Sequence, residues 1–93
     1  MRFAAGPPSL WLVTLQDQAV VHVWADSYSR PTADDDRYVF GMLVEASAEE
    51  RRSLDILATT PSDADRVEIC VARFPATSVT QIRSGAHEAD DGW

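Results

Sequence analysis

Alternating apolar and polar residues predict three strands in the first half of the chain. β-forming residues fill 10–15 and again 19–28, with the polar residues 16–18 as a turn between them. Residues 37–46 are apolar at odd and even positions alike, which indicates a strand buried on both faces. Since side chains alternate along a strand, 19–28 has an aliphatic face (Val21, Val23, Ala25) and a mixed face (Val20, His22, Trp24, Asp26, Tyr28).

A helix is predicted after the third strand, because Ser47 and Glu50 have the spacing of a capping box. The helix should run from about 48 to about 59, and three apolar residues in its second half form a stripe at helical spacing. Pro61 cannot continue a helix, so it marks the end of this element.

Residues 67–72 alternate again and predict a fourth strand, and a short last strand follows the break at Phe74-Pro75. The predicted order β-β-β-α-β-β is an α+β, β-rich fold. It fits a small partly open barrel, OB-like or SH3-like, or a curved antiparallel sheet with one helix. Gly41, in the middle of the third strand, predicts a bulge or a sharp bend there.

The length of 93 residues is enough for one domain with one modest core. The sequence predicts a flexible leader at 1–8, a single β-rich domain at 9–83 and a flexible acidic tail at 84–93. The leader ends in Gly6-Pro7-Pro8, and polar and acidic residues dominate the tail.

Charge narrows the range of partners. Fifteen acidic residues against eight basic ones leave a net charge of −7, which disfavours nucleic acid and anionic membranes and attracts basic proteins. The single cysteine excludes an intrachain disulfide. The longest apolar stretch near the N-terminus is too short for a signal sequence or a membrane span, so we expect a cytoplasmic protein.

Two features suggest chemistry but have simpler interpretations. The run Asp34, Asp35, Asp36 offers oxygen ligands for a divalent cation, yet it lacks the spacing of an EF-hand and is typical of a solvated loop. Cys70 alternates with core positions, so we expect a small, partly buried side chain rather than a nucleophile.

His22 and Asp26 lie on the same predicted strand face, where a histidine–carboxylate pair could orient a general base or a metal ligand. The only other histidine, His87, falls in the predicted tail, and no zinc-ligand spacing exists. The sequence also has no phosphate-binding loop, dinucleotide fingerprint or serine-nucleophile elbow. We therefore predict no catalytic residue, no metal, no cofactor and no enzymatic activity.

Aromatic residues concentrate in the first three predicted strands. A core role is the first interpretation, a protein interface the second and stacking on nucleic-acid bases the third. The residues concerned are Trp11, Trp24, Tyr28, Tyr38 and Phe40.

The function predicted from the sequence is that of a non-catalytic interaction module that binds a protein partner or a second copy of itself. An acidic rim would speed encounter with a basic partner, as in a small inhibitor of the immunity or antitoxin type. The predicted partner-binding residues are Trp24, Tyr28, Tyr38 and His22, with Asp34, Asp35 and Asp36 as the rim.

Two alternatives belong to other classes. An OB-like single-strand nucleic-acid binder would need Arg30, Arg37, Arg73 and Arg83 gathered on one face. A small-ligand binder or an enzyme would need a concave, partly apolar pocket beside His22 and Asp26.

Overall fold

A computed structural model describes residues 1–85 of the chain. Residues 86–93, which include His87 and most of the predicted tail, lie outside the described residues. The elements, in chain order, are β1 (Arg2–Phe3), β2 (Ser9–Leu15), β3 (Val20–Ala25), β4 (Ser27–Ser29), β5 (Arg37–Glu45), α1 (Ala48–Arg51), β6 (Ile56–Thr60), β7 (Asp63–Pro75), a 3₁₀ turn (Ala76–Ser78) and β8 (Val79–Ser84).

The strands form two antiparallel sheets. The larger sheet has the order β1-β5-β7-β6, with β4 also paired to β5, and the smaller sheet has the order β3-β2-β8. The predicted α+β, β-rich fold is confirmed, in the form of curved antiparallel sheets with one short helix. The two sheets are not closed into a barrel, so the curved antiparallel sheet is the alternative that the structure supports.

The second predicted strand is divided at Asp26. Its first part is β3 in the smaller sheet, and its second part is β4 in the larger sheet. The backbone N–H of Asp26 donates to the carbonyl of Gly41 at 2.9 Å, and its carboxylate accepts the N–H of Leu43 at 2.7 Å. The prediction of one continuous strand over 19–28 is therefore wrong, because Asp26 ties the chain to β5 at the point where it changes sheets.

The predicted capping box forms, but the helix is much shorter than predicted. The N–H of Glu50 donates to the Ser47 hydroxyl at 3.2 Å, and the N–H of Ser47 donates to the Glu50 carboxylate at 2.9 Å. The helix ends at Arg51, and Ile56–Thr60 is a strand paired with β7. The prediction of a helix to residue 59 is wrong because its apolar stripe was short and this segment is rich in β-branched residues, which favour strands.

Gly41 marks an irregularity in β5, as predicted. The register between β5 and β7 shifts between Phe40 and Gly41. A Cβ atom at Gly41 would lie 3.2 Å from the side chain of Glu68, so the absent side chain leaves room for Glu68 across the sheet.

The buried core has two parts. One lies between the two sheets and is made of Val13, Val23, Ala25 and Phe40. The other lies on the larger sheet alone, with Leu54 and Met42 packed against it, and is made of Val44, Ala46, Val67 and Ile69. The smaller sheet therefore covers the part of the larger sheet around Phe40, and the part around Val44 and Val67 has its own small core.

We predict that the carboxylate of Glu50 makes the stability of the fold depend on pH. The ammonium group of Met1, 2.7 Å away, and the backbone N–H of Ser47 lower the pKa of Glu50 from 4.5 to about 2. A lowered pKa stabilises the fold above pH 4.5, and this contribution is lost as the pH falls towards 2. Glu50→Gln should lower the urea midpoint at pH 7 and leave it nearly unchanged at pH 2.

The matched control is Glu49→Gln, in the same turn of α1 and without a place in the capping box. It should change the midpoint less than Glu50→Gln at pH 7. An equal decrease for Glu50→Gln at both pH values would contradict the assignment.

Candidate functional site

The outward side of β3 is the most exposed apolar part of the smaller sheet. Trp24 is 56% exposed, Val20 is 49% exposed, and His22 between them is exposed as well. The alternate residues Val23 and Ala25 are buried against the larger sheet. We call Val20, His22 and Trp24 the β3 face; two of these three residues were predicted as partner-binding, and the structure brings them together.

Strand register determines what surrounds the β3 face. Trp24 lies opposite Leu10 of β2, His22 opposite Leu12, and Val20 opposite Thr14. Beyond β2, the strand β8 adds Gln81 opposite Thr14 and Arg83 opposite Leu12. On the outer side of the smaller sheet the exposed apolar residues are therefore those of β3, because Leu12 is buried and Leu10 is half-buried, and polar groups lie on the far strand.

Tyr28 and Tyr38 lie elsewhere, in an aromatic cluster between the sheets. The ring of Tyr28 is 5.2 Å from that of Trp11, in an edge-on arrangement, and 5.2 Å from that of Phe40. Tyr38 is 6.2 Å from Tyr28, and Trp11 donates its indole N–H to the carbonyl of Ala25 at 3.0 Å. Both tyrosines are half-buried core residues, so they are not part of the exposed surface that contains Trp24.

The acidic run occupies the loop between β4 and β5. Asp34 and Asp36 are exposed, whereas Asp35 accepts a hydrogen bond from the guanidinium of Arg37 at 2.8 Å. This bond lowers the pKa of the Asp35 carboxyl. Among the residues that the structure describes, no group of three or more potential ligands could hold a metal ion.

His22 and Asp26 do not form a pair. The carboxylate of Asp26 accepts a hydrogen bond from the backbone N–H of Leu43. Within the described residues 1–85, no hydrogen bond joins Asp26 to His22. Cys70 is half-buried, its thiol donates weakly to the carbonyl of Ala72 at 3.7 Å, and burial raises the pKa of this thiol. A raised pKa lowers the fraction of thiolate, which is the nucleophilic form.

Of the four arginines that a nucleic-acid surface would need, two form ion pairs and one lies on the other sheet. Arg37 of β5 pairs with Asp35, and Arg73 of β7 pairs with Asp55. Arg83 belongs to the smaller sheet, on β8. Arg30 lines the same surface depression as Arg37 and its partner Asp35, so the four arginines do not form one unpaired basic face.

An apolar cavity of about 390 Å³ was not anticipated from the sequence. Met42, Val44 and Ile69 line it from the larger sheet, and Phe3, which is 52% exposed, lines it from β1. The N–H of Ala4 donates to the carbonyl of Leu43 at 3.0 Å, which holds this segment on β5. In the sequence, the apolar side chain of Phe3 was the sign of this cavity. It was overlooked because residues 1–8 were predicted to be a flexible leader.

Comparison with protein-family models, with curated proteins and with solved structures finds no match to this chain. Within residues 1–85, no helix has both the length and the apolar composition to cross a membrane. Function must therefore be inferred from the surfaces of this chain itself.

Proposed function

We propose that this chain is a non-catalytic interaction module that binds a protein partner through the β3 face. The observation that supports this most directly is Trp24, whose large side chain is more than half exposed on a regular strand. Tryptophan is the residue most enriched among those that dominate binding energy in protein interfaces. A strand whose inward residues are buried holds such a side chain in place before the partner arrives.

The neighbours of Trp24 are suited to an interface of this kind. Val20 adds exposed aliphatic surface, and His22 adds a polar group that can donate or accept a hydrogen bond. Interfaces typically combine an apolar centre with a polar rim, and Gln81 and Arg83 lie towards the far edge of the same sheet surface.

The excess of acidic residues favours a basic partner. The net charge is −7, and Asp34 and Asp36 are exposed without an ion pair among the described residues. Charges of this kind act over distance, so they accelerate encounter more than they strengthen the final complex. In this proposal the acidic loop steers the partner, and the β3 face makes the contact.

We predict that Trp24→Ala removes most of the partner binding. The tagged wild-type chain should recover one protein in near-equal amount from a lysate of its source organism. Loss of a central tryptophan typically costs about 2 kcal/mol or more, so the affinity of the purified pair should fall roughly 30-fold or further. Calorimetry or surface plasmon resonance with the recovered protein measures this change.

The matched control is Phe3→Ala, which removes the other large exposed aromatic residue of the described chain, on β1 in the larger sheet. This variant should keep the wild-type affinity. Circular dichroism verifies that both variants are folded. Equal affinity of folded Trp24→Ala and wild type would refute the β3 face as the binding surface.

A further inference from the structure

The open edge of β3 lacks the features that usually prevent strands from pairing with other chains. In the described part of the chain β3 is the last strand of the smaller sheet, with β2 as its hydrogen-bonded neighbour. Its sequence, Val-Val-His-Val-Trp-Ala, contains no Asp, Glu, Arg, Pro or Gly, and its register with β2 has no shift. Natural edge strands are normally protected by charge, proline, bulges or short length.

The other long edges of the two sheets carry such protection. The register of β6 against β7 shifts twice, and the register of β8 against β2 shifts once. Strand β8 also contains the charged residue Arg83, and β1 and β4 are very short. Strand β3 is therefore the edge of the described chain that is best suited to accept a further strand.

The hairpin between β2 and β3 shows which backbone groups point towards this open edge. The N–H of Leu15 donates to the carbonyl of Ala19 at 2.8 Å, which closes the hairpin. Hydrogen-bonded and non-bonded pairs alternate in an antiparallel ladder, so Val21 and Val23 bond to β2. The N–H and C=O groups of Val20, His22 and Trp24 then face away from β2, towards the open edge.

We propose that this edge pairs with the same edge of a second copy of the chain, antiparallel and about a twofold axis at His22. Val20 then lies opposite Trp24 of the second copy, and His22 lies opposite His22 of the second copy. In this register the edge-facing backbone groups of the two strands meet, so both hydrogen bonds form in each of these pairs. This pairing joins the two smaller sheets into one continuous sheet. The side chains of Val20, His22 and Trp24 from both copies then lie on the same face of that sheet.

Charge is compatible with this register despite the net charge of −7. The acidic residues nearest to the strand in the sequence are Asp17 and Asp26, on its two flanks. Neither belongs to the paired stretch 20–24, because Asp17 lies in the hairpin turn and Asp26 hydrogen-bonds to β5 where the chain leaves the smaller sheet. No like charges face each other across the pair, whereas directly opposed like charges would weaken it.

The pairing also doubles the surface described above. A cross-strand pair of an aromatic and a β-branched residue, such as Trp24 with Val20, is a favourable one in sheets. The two β3 faces become neighbours on one side of the joined sheet. This inference rests on the proposed function, and it names a second copy as one partner of that strand.

The first test is the mass of the purified chain, alone and at high micromolar concentration. Light scattering after gel filtration should give about twice the 10.3 kDa of one chain. His22→Arg places two like charges opposite each other on the axis, and it should give a monomer. Gln81→Arg adds the same charge to the same face of the sheet on the opposite edge strand, β8, and it should remain a dimer.

The second test is a disulfide at the axis. Cα atoms of a hydrogen-bonded antiparallel pair are about 5.5 Å apart, which a disulfide spans. In a Cys70→Ser background, His22→Cys should give a covalent dimer under mild oxidation, and Gln81→Cys should not. A covalent dimer specific to position 22 supports the axis.

Three outcomes would overturn the inference: a monomeric wild type, a dimer that persists in His22→Arg, or equal cross-linking at positions 22 and 81. Each leaves the proposed function to be judged separately, because the Trp24→Ala experiment uses the protein recovered from lysate. A monomeric chain with a Trp24-dependent partner would refute the self-pairing alone. If the chain forms a dimer centred on His22 and the affinity of the recovered partner is unchanged by Trp24→Ala, the proposed binding surface is refuted and the self-pairing is retained.

Discussion

Phe40→Ala should lower the free energy of unfolding by about 3–5 kcal/mol, as truncation of a buried aromatic residue typically does. Phe40 is fully buried in the core between the two sheets. Its ring lies 5.2 Å from that of Tyr28, 5.9 Å from that of Phe74 and 6.4 Å from that of Trp11. A cavity at this point would remove contacts in the core that lies between the two sheets.

Urea denaturation followed by circular dichroism measures this change. A domain of this size is stable by only roughly 5–14 kcal/mol, so Phe40→Ala could fail to fold. Phe40→Leu keeps a large apolar side chain and should lose clearly less stability. Phe3→Ala, at the half-exposed aromatic residue of β1, should lose about 1 kcal/mol or less. Similar losses at Phe3 and Phe40 would contradict the placement of the core.

Asp26→Ala should lower the free energy of unfolding by about 1–3 kcal/mol, because it leaves the N–H of Leu43 without an acceptor. The Asp26 carboxylate accepts that N–H at 2.7 Å, in a partly buried position where β3 passes into β4. Loss of this bond should loosen the crossing between the two sheets. Hydrogen exchange at the Leu43 amide should accelerate in the same variant, which locates the effect.

Asp26→Asn separates the hydrogen bond from the charge. Its amide oxygen can still accept the Leu43 N–H, so it should retain most of the stability that Asp26→Ala loses. Asp36→Ala, in the exposed loop before β5, should change stability by about 0.5 kcal/mol or less. If Asp26→Ala were as stable as Asp36→Ala, the carboxylate would have no structural role and the hypothesis of a site at His22 and Asp26 would regain support.

The two faces predicted for residues 19–28 are found within β3, because this part of the prediction depended on local alternation, although Trp24 is exposed rather than part of the core. Val23 and Ala25 are buried and Trp24 is exposed, as the period of two along a strand requires. The capping box at Ser47 and Glu50 and the irregularity at Gly41 also formed where the sequence predicted them. Each of these features depends on residues that are close together in the chain.

The predictions that failed depended on distant contacts. The helix to residue 59 was replaced by β6 because its β-branched residues favour a strand and the edge of β7 offered Ile56–Thr60 a hydrogen-bonded partner. Tyr28 was expected beside Trp24, but the bond between Asp26 and Leu43 carries the chain into the other sheet. Alternation along one segment contains no information about a partner supplied by another segment.

The sequence by itself determined the strand-rich character, the inward and outward sides of β3, the cap of α1 and the acidic charge. These properties follow from the side chains of neighbouring residues and from composition. Tertiary structure decided that two sheets stay open rather than close into a barrel, that Tyr28 and Tyr38 join the core, and that β3 is an edge strand. The physical reason is that burial and strand pairing are shared between segments far apart in the chain, so the choice among local alternatives is made only when those segments meet.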